Sequence, residues 1–315
     1  MHGHSHSPDS GHGAADSKRV LTLAVGLTLG YALVELTGGL LAGSLALISD
    51  AGHMVTDSLA LGMAAIAAWL ARRPPSRRHS YGLGRIETLA AFVNALIMIG
   101  IVVAVTGFAV RRLLEPPSVD GGIVTWVALI GLLINLAVAW LLMGGRRNVN
   151  VKAALLHVLG DLLGSVAALV SGVVILYSGW TPIDPLLSLF IAGLILFSAI
   201  RVLREALHAL LDGVPPGIDL KQVGDELSRL DGVLSVHDLH IWSIAAERSA
   251  LSAHVVIRRM DHWPPVLGRI RAHLAEHQGI DHVTLQPEPL ETVLRYTPGP
   301  PADLQSRTDR SARAD

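Results

Sequence analysis

Two His-x-x-x-Asp steps lie within strongly apolar stretches of this sequence. The first joins His53 to Asp57 and the second joins His157 to Asp161. Because residues four apart share a helix face, each step aims an imidazole and a carboxylate in the same direction. Two imidazoles and two carboxylates make a complete tetrahedral ligand set for a divalent ion such as zinc. Ionisable groups are costly inside a bilayer and mark an ion path by default. The four side chains therefore predict a metal site within a membrane domain.

The composition is typical of a polytopic membrane protein. The chain has 315 residues, of which 51% are hydrophobic and 16% are charged, and its mean hydropathy is +0.48. Cysteine is absent, so disulfides and thiolate metal sites are excluded. A net charge of −1 without a basic block indicates no nucleic-acid partner. The polar, histidine-bearing first residues are not expected to form a signal peptide.

Six apolar stretches are long enough to span about 30 Å of hydrocarbon. They cover residues 20–41, 45–70, 86–110, 123–143, 151–177 and 183–203. The second and fifth stretches carry the polar residues, so they are expected inside the helix bundle. At about 1.5 Å of rise per residue, all four candidate ligands fall within a band of about 9 Å near the membrane midplane. This common depth is a condition for one shared metal site.

The basic residues predict the orientation of the bundle. Arginine and lysine cluster before the first span, after the second and between the fourth and fifth. The positive-inside rule then places both termini in the cytoplasm. The pair Arg111 and Arg112 is the exception, because the same topology places it outside.

The chain changes character from about residue 214. Polar, amphipathic and alternating segments predict helices at 219–230 and 264–277 and strands at 234–244, 249–257 and 282–286. This αββαβ order is typical of a small α+β domain, whose core is small enough to depend on dimerisation. The expected organisation is a flexible histidine-bearing segment (1–19), a transmembrane domain (20–212), a cytoplasmic domain (213–296) and a disordered tail (297–315). Histidines in the first segment are expected to bind metal weakly.

Four stretches of the sequence resemble the cation diffusion facilitator family, in particular its zinc-transporting branch. Residues 44–57 are similar to the family's second helix, 81–87 to the start of its third, 150–165 to its fifth, and 237–242 to its cytoplasmic signature. The resemblance covers residues 20–288. It implies a homodimeric metal/proton antiporter with an α-helical membrane bundle of six transmembrane helices and a C-terminal α+β ferredoxin-like cytoplasmic domain.

The resemblance also implies roles for individual residues. His53, Asp57, His157 and Asp161 would form the transport site. Histidine at the first position of both steps favours zinc, with cobalt or cadmium as secondary cargo, and an all-oxygen site would instead suit manganese or magnesium. Matching positions in the cytoplasmic domain give a second, regulatory zinc site. Its candidate ligands are His237, His254, Glu288 and His282, and for His282 a packing or surface role is an equal alternative.

A charge link between Arg85 and Asp212 at the junction of membrane and cytoplasm is a further expectation from the resemblance. A surface pair that contributes little to stability is the alternative.

The implied activity is zinc efflux from the cytoplasm across a bacterial plasma membrane. An imidazole with a reference pKa of about 6.5 can exchange a metal ion for a proton at ordinary pH, so protons would travel in the opposite direction.

Two other classes of protein remain as alternatives. A membrane zinc hydrolase needs an open coordination position and a general base, whereas the four-residue set is closed and the sequence has no His-Glu-x-x-His motif. A metal sensor or scaffold that does not transport would need the cytoplasmic domain, but it would not need ionisable groups at the midplane.

Overall fold

The computed structural model describes the backbone of residues 10–143, 149–246 and 248–290, and the side chains of 26–143, 155, 158–246 and 248–290. The predicted tail (297–315) and the first nine residues lie outside the described part. The chain divides into two compact units. One comprises Met1–Leu70 and Ile86–Ala206, and the other comprises Ala71–Arg85 and Leu207–Asp315.

The first unit is built from six helices. They are α1 (Ser10–Ala42), α2 (Leu45–Ala71), α3 (Ile86–Leu114), α4 (Gly121–Met143), α5 (Val149–Ser178) and α6 (Ile183–Leu210). Among the described residues, five helices are long and apolar enough to cross a membrane, and α1 adds a shorter apolar segment, Gly26–Ala42. The predicted six-helix membrane bundle is confirmed. Several helices extend beyond the predicted spans, because hydropathy marks only the part of a helix that matches the hydrocarbon.

Glycines allow the helices of this unit to approach closely. A Cβ added at Gly172 on α5 would lie 2.6 Å from the backbone nitrogen of Thr125 on α4, and one added at Gly131 would overlap the ring of Tyr31 on α1. Asn135 on α4 donates from Nδ2 to Oγ of Ser165 on α5 across 3.0 Å, as expected of a polar residue bonding between membrane helices. These contacts fix α1, α4 and α5 against one another.

One carboxylate joins three helices at the end of the unit where α2 begins. Asp184, in the first turn of α6, is completely buried. It accepts hydrogen bonds from Ser44 Oγ at 2.6 Å, from the Leu45 backbone N–H at 2.6 Å and from Ser171 Oγ at 3.3 Å. A carboxylate at a helix N-terminus also interacts favourably with the helix dipole. Arg112 is one of the two arginines that depart from the positive-inside pattern. Its Nη1 lies 3.9 Å from Oδ2 of Asp184, so its charge is compensated within the protein.

The second unit contains the predicted αββαβ order, which confirms the fold class. Its elements are α7 (Leu220–Ser228), β1 (Ser235–Ala245), β2 (Arg248–Ile257), a short 3₁₀ helix (Met260–His262), α8 (Trp263–Gln278) and β3 (His282–Pro289). The sheet order is β1-β2-β3, with β1 antiparallel and β3 parallel to β2. Strand β3 runs three residues beyond its prediction, because an edge strand tolerates Pro287 and Pro289.

The sheet of the second unit has one apolar face and one polar face. The alternating residues Leu251, Ala253, Val255 and Ile257 of β2 are buried in a core with residues of α7 and α8. Successive side chains of a strand point to opposite faces, so His254 points away from that core. The loop Ala71–Arg85 contacts one end of the sheet, where Arg85 donates from Nε to the Ser243 carbonyl at 3.2 Å.

Candidate metal centres

Helix α2 places the first His-x-x-x-Asp step on one face. Nε2 of His53 lies 3.5 Å from Oδ2 of Asp57, and the two side chains are 20% and 16% exposed. A narrow cavity of about 10 Å³ lies beside His53, between α2, α3 and α6. A cavity of that size holds at most about one water molecule. His53 is therefore closely packed against α3 and α6 on this side.

Helix α5 carries the second His-x-x-x-Asp step and runs antiparallel to α2. The Asp184 hydrogen bonds connect Ser44, at the start of α2, with Ser171, near the end of α5. Further along α2, Asp50 packs against Gly164 of α5, where an added Cβ would lie 2.5 Å from Asp50 Oδ1. From the first contact to the second, the residue number rises along α2 and falls along α5. The two helices are therefore antiparallel in this region.

The antiparallel contact indicates which ligand positions lie at the same height along the two helices. Starting from the pair Asp50 and Gly164, three residues along α2 and three residues back along α5 lead to His53 and Asp161. Four residues further, Asp57 is level with position 157. The equal rise per residue of two α-helices keeps these levels matched over such short distances. Asp161 is 3% exposed, whereas the side chain of His157 lies outside the described residues.

Further acidic side chains extend this polar region towards α1. Glu35 and Asp50 are 0% and 2% exposed, and their carboxylates are close enough to interact electrostatically. The Tyr31 hydroxyl lies 3.3 Å from Glu35 Oε1 and 3.0 Å from the Val127 carbonyl oxygen. Buried carboxylates repel one another unless a proton or cation lies between them. Glu35 was not predicted to lie near the two steps, although an acid four residues after Tyr31 in an apolar helix is a signal for such a pair.

Three side chains meet on the polar face of the cytoplasmic sheet. His237 on β1 is directly opposite His254 on β2, and Glu288 lies on the neighbouring strand β3. His237 Nε2 is 2.9 Å from Glu288 Oε2, and His254 Nδ1 is 2.9 Å from Glu288 Oε1. One ligand atom from each residue lies within 4.8 Å of the others. Because a tetrahedral zinc ion needs ligand atoms about 3.3 Å apart, small side-chain adjustments suffice to hold a metal ion there.

His282 stands apart from these three residues. It begins β3 and pairs with Ala250, whereas Glu288 lies six residues further along the strand. Six residues of strand span about 20 Å. The imidazole packs edge-on against the ring of Tyr81, with centroids 5.6 Å apart. This contact accords with the packing alternative for His282.

The expected ion pair between Arg85 and Asp212 is present. Arg85 hydrogen-bonds and ion-pairs with Asp212, and it also donates to the Ser243 carbonyl. The side chains of Arg85 and Asp212 are 40% and 62% exposed, so solvent screens the attraction between them. The link is therefore mainly a geometric connection between the loop Ala71–Arg85 and the residues that follow α6.

Comparison with known proteins identifies the family. Residues 21–211 match the cation efflux transmembrane domain, and residues 215–290 match the cytoplasmic domain of cation efflux proteins. The chain belongs to the cation efflux family. This membership confirms the resemblance found in the sequence. The protein is a multi-pass membrane transporter, and its family consists of transporters rather than enzymes.

Relatives match along almost their whole length. The zinc transporter ZitB of Escherichia coli (strain K12) is 43% identical over 90% of this chain and 92% of its own length. The cadmium, cobalt and zinc/H(+)-K(+) antiporter of Bacillus subtilis (strain 168) is 38% identical, with 88% and 91% covered. The metal-bound C-terminal domain of the CzcD transporter from Cuprividus metallidurans is a solved structure with 37% identity and a TM-score of 0.21, covering 22% of this chain and 99% of that one.

Proposed function

We propose that this cation efflux protein exports zinc from the cytoplasm in exchange for protons. The transport site comprises His53, Asp57, His157 and Asp161. The observation that carries the proposal is the antiparallel contact of α2 with α5 at Asp50 and Gly164. Counting three residues from this contact along each helix leads to His53 and Asp161, which supports a shared site. Each level of the helix pair then offers one imidazole position and one carboxylate position. Two of each give a closed set that suits zinc, with cobalt and cadmium as secondary cargo.

The proposed mechanism couples ion exit to proton entry. Zinc reaches the site from the cytoplasm and replaces the protons on its ligands, because only neutral imidazole and ionised carboxylate coordinate the metal. The bundle then opens to the other side of the membrane. Protons from that side compete for the same ligands and release the ion. The protonated, empty site crosses the low-dielectric barrier at a smaller electrostatic cost than a set of bare carboxylates.

The cytoplasmic unit supplies regulation in this proposal. His237, His254 and Glu288 hold a second zinc ion on the sheet face that points away from α7 and α8. The protein acts as a homodimer in a bacterial plasma membrane with both termini in the cytoplasm. The small core of the cytoplasmic unit supports dimerisation. The names of the relatives, which are zinc, cadmium and cobalt transporters, support the cargo.

Purified protein in liposomes tests the proposal. A trapped zinc dye and a trapped pH dye report the two fluxes in wild type, Asp57→Ala and Asp161→Ala. We expect opposing zinc and proton fluxes in wild type and loss of both fluxes in both variants. Glu115→Ala is the matched control, since this exposed acid follows α3 outside the site. Wild-type zinc flux in either site variant would contradict the site, and zinc binding without flux in wild type would favour the metal sensor.

A further inference from the structure

The backbone of β1 is irregular next to the metal-binding histidine. The pairing of β1 with β2 shifts register between His237 and His240. Asp238, inside this β-bulge, has φ 52°, the left-handed region that only a few per cent of residues other than glycine adopt. β-Bulges re-aim side chains and occur frequently beside functional sites. Here the bulge turns the Asp238 carboxylate towards two histidines.

Asp238 contacts these histidines through both of its oxygens. Oδ1 lies at hydrogen-bond distance, 2.9 Å, from Nε2 of His240, and Oδ2 lies at ion-pair distance, 3.7 Å, from Nε2 of His254. An aspartate is ionised at neutral pH, so this carboxylate attracts an N–H group on each ring.

His254 consequently lies between two carboxylates. Its Nε2 faces Asp238 and its Nδ1 faces Glu288. A neutral imidazole has one N–H donor and one lone-pair acceptor. When Nε2 carries the hydrogen towards Asp238, the lone pair on Nδ1 points towards Glu288. A histidine that binds a metal usually donates its other N–H to a carboxylate or a carbonyl, and this second contact fixes the tautomer.

We propose that Asp238 is a positioning residue that holds His254 in the Nε2–H tautomer, so that His254 binds a divalent cation through Nδ1 and His237 binds it through Nε2. The inference rests on the cytoplasmic metal site of the proposed function. It identifies the nitrogen atoms that bind the ion. It also adds Asp238, which lies outside the triad of His237, His254 and Glu288 and orients the His254 ring. It also gives a role to the aspartate of the His-Asp-Leu-His segment at 237–240, which includes the bulge.

Two substitutions at Asp238 distinguish the role of its carboxylate from the role of its left-handed backbone conformation. Asp238→Gly keeps the left-handed conformation without strain but removes the carboxylate. Asp238→Asn keeps an acceptor oxygen and tolerates the same φ. We expect Asp238→Gly to weaken zinc binding by about 10–100-fold, and Asp238→Asn to weaken it less. If Asp238→Gly binds zinc as tightly as its parent, the proposal is wrong.

The titration uses the full-length protein in detergent with its other metal sites removed. Asp57→Ala and Asp161→Ala disable the membrane site, and His→Asn changes remove the histidines at positions 2, 4, 6 and 12. Zinc affinity is measured by competition with a chromophoric chelator. Cobalt, whose visible absorption reports tetrahedral coordination, provides a second readout that a purely structural role for Asp238 leaves unchanged. We expect a weaker tetrahedral cobalt spectrum in Asp238→Gly at equal metal.

Site-specific incorporation of Nδ-methylhistidine tests the atom assignment directly. A methyl group on Nδ1 at position 254 should abolish zinc binding, whereas the same group at position 237 should leave binding within a few-fold of the parent. The opposite pattern would overturn the inference while leaving the triad as a metal site. Absence of binding in the parent would remove the cytoplasmic site itself. Neither result bears on the liposome fluxes, which test the transport site separately.

Discussion

Gly164→Ala should impair transport although it touches none of the four proposed ligands. The added Cβ would lie 2.5 Å from Asp50 Oδ1, whereas ordinary contact begins at 3.4 Å. Either the Asp50 carboxylate or the helix pair must therefore move by about 0.9 Å, as in other overpacked cores. Asp50 has little freedom to move away, because it is buried among the helices. The displacement thus separates α2 from α5.

The expected effect on transport follows from the tolerance of metal coordination. Ligand distances in a metal site vary by only about ±0.2 Å, and a misplacement of about 1 Å in a reacting site can cost about 100-fold. We expect the rate of zinc uptake into proteoliposomes to fall by at least about tenfold in Gly164→Ala. Overpacking should also lower the stability by about 1–3 kcal/mol, measured by thermal unfolding in detergent.

Gly160→Ala is the matched control on the same helix. It lies one turn before Gly164 and next to Asp161, and an added Cβ there meets nothing within 4 Å. The same chemical change should therefore leave zinc uptake close to that of wild type. Equal uptake by Gly164→Ala and wild type would refute the packing of α2 against α5 as the element that sets the ligand levels. Equal loss in both alanine variants would refute it as well.

The remaining predictions concern the polar contacts of the two units. Asp184→Asn removes a buried charge that accepts several hydrogen bonds at the start of α2, and we expect a loss of about 1.5–3 kcal/mol in unfolding experiments in detergent. Arg85→Gln breaks the exposed link to Asp212 and should change the stability by about 1 kcal/mol or less. A larger loss would mean that the link is not screened by solvent. Hydrogen bonds from Gln222 and His273 lower the pKa of Glu226 below 4.5. Its stabilising contribution is therefore present above that pH and is lost as the pH falls through the folded-state pKa. Protection factors of the α7 amides, which correct exchange rates for their intrinsic pH dependence, should fall less between pH 5 and 3 in Glu226→Gln than in wild type.

The local parts of the structure were predictable because they depend on short-range patterns. The spacing of His53 and Asp57 places both on one helix face, and the alternation from Leu251 to Ile257 defines the buried face of β2. Hydropathy alone located the membrane helices. The same patterns placed His237 and His254 on adjacent strands, where the structure brings them together with Glu288.

The features that the sequence did not reveal depend on contacts between distant segments. Asp184 accepts from Ser44, 140 positions away, and an aspartate after the last loop of the bundle carries no local sign of that partner. The bulge at Asp238 adds a residue to one strand, which an alternation of period two cannot register. The contact of Gly164 with Asp50 likewise follows from helix packing and not from the pattern of either helix alone.

The antiparallel arrangement of α2 and α5 gives the two steps an approximate twofold symmetry. Both helices read histidine and then aspartate along the chain, so rotating one helix onto the other exchanges the two levels and preserves the residue type at each position. A site with this symmetry presents the same order of groups to an ion arriving from either side of the membrane. The four ligands by themselves therefore give no preferred direction. In the proposed mechanism, the gradients of zinc and protons across the membrane set the direction of net transport.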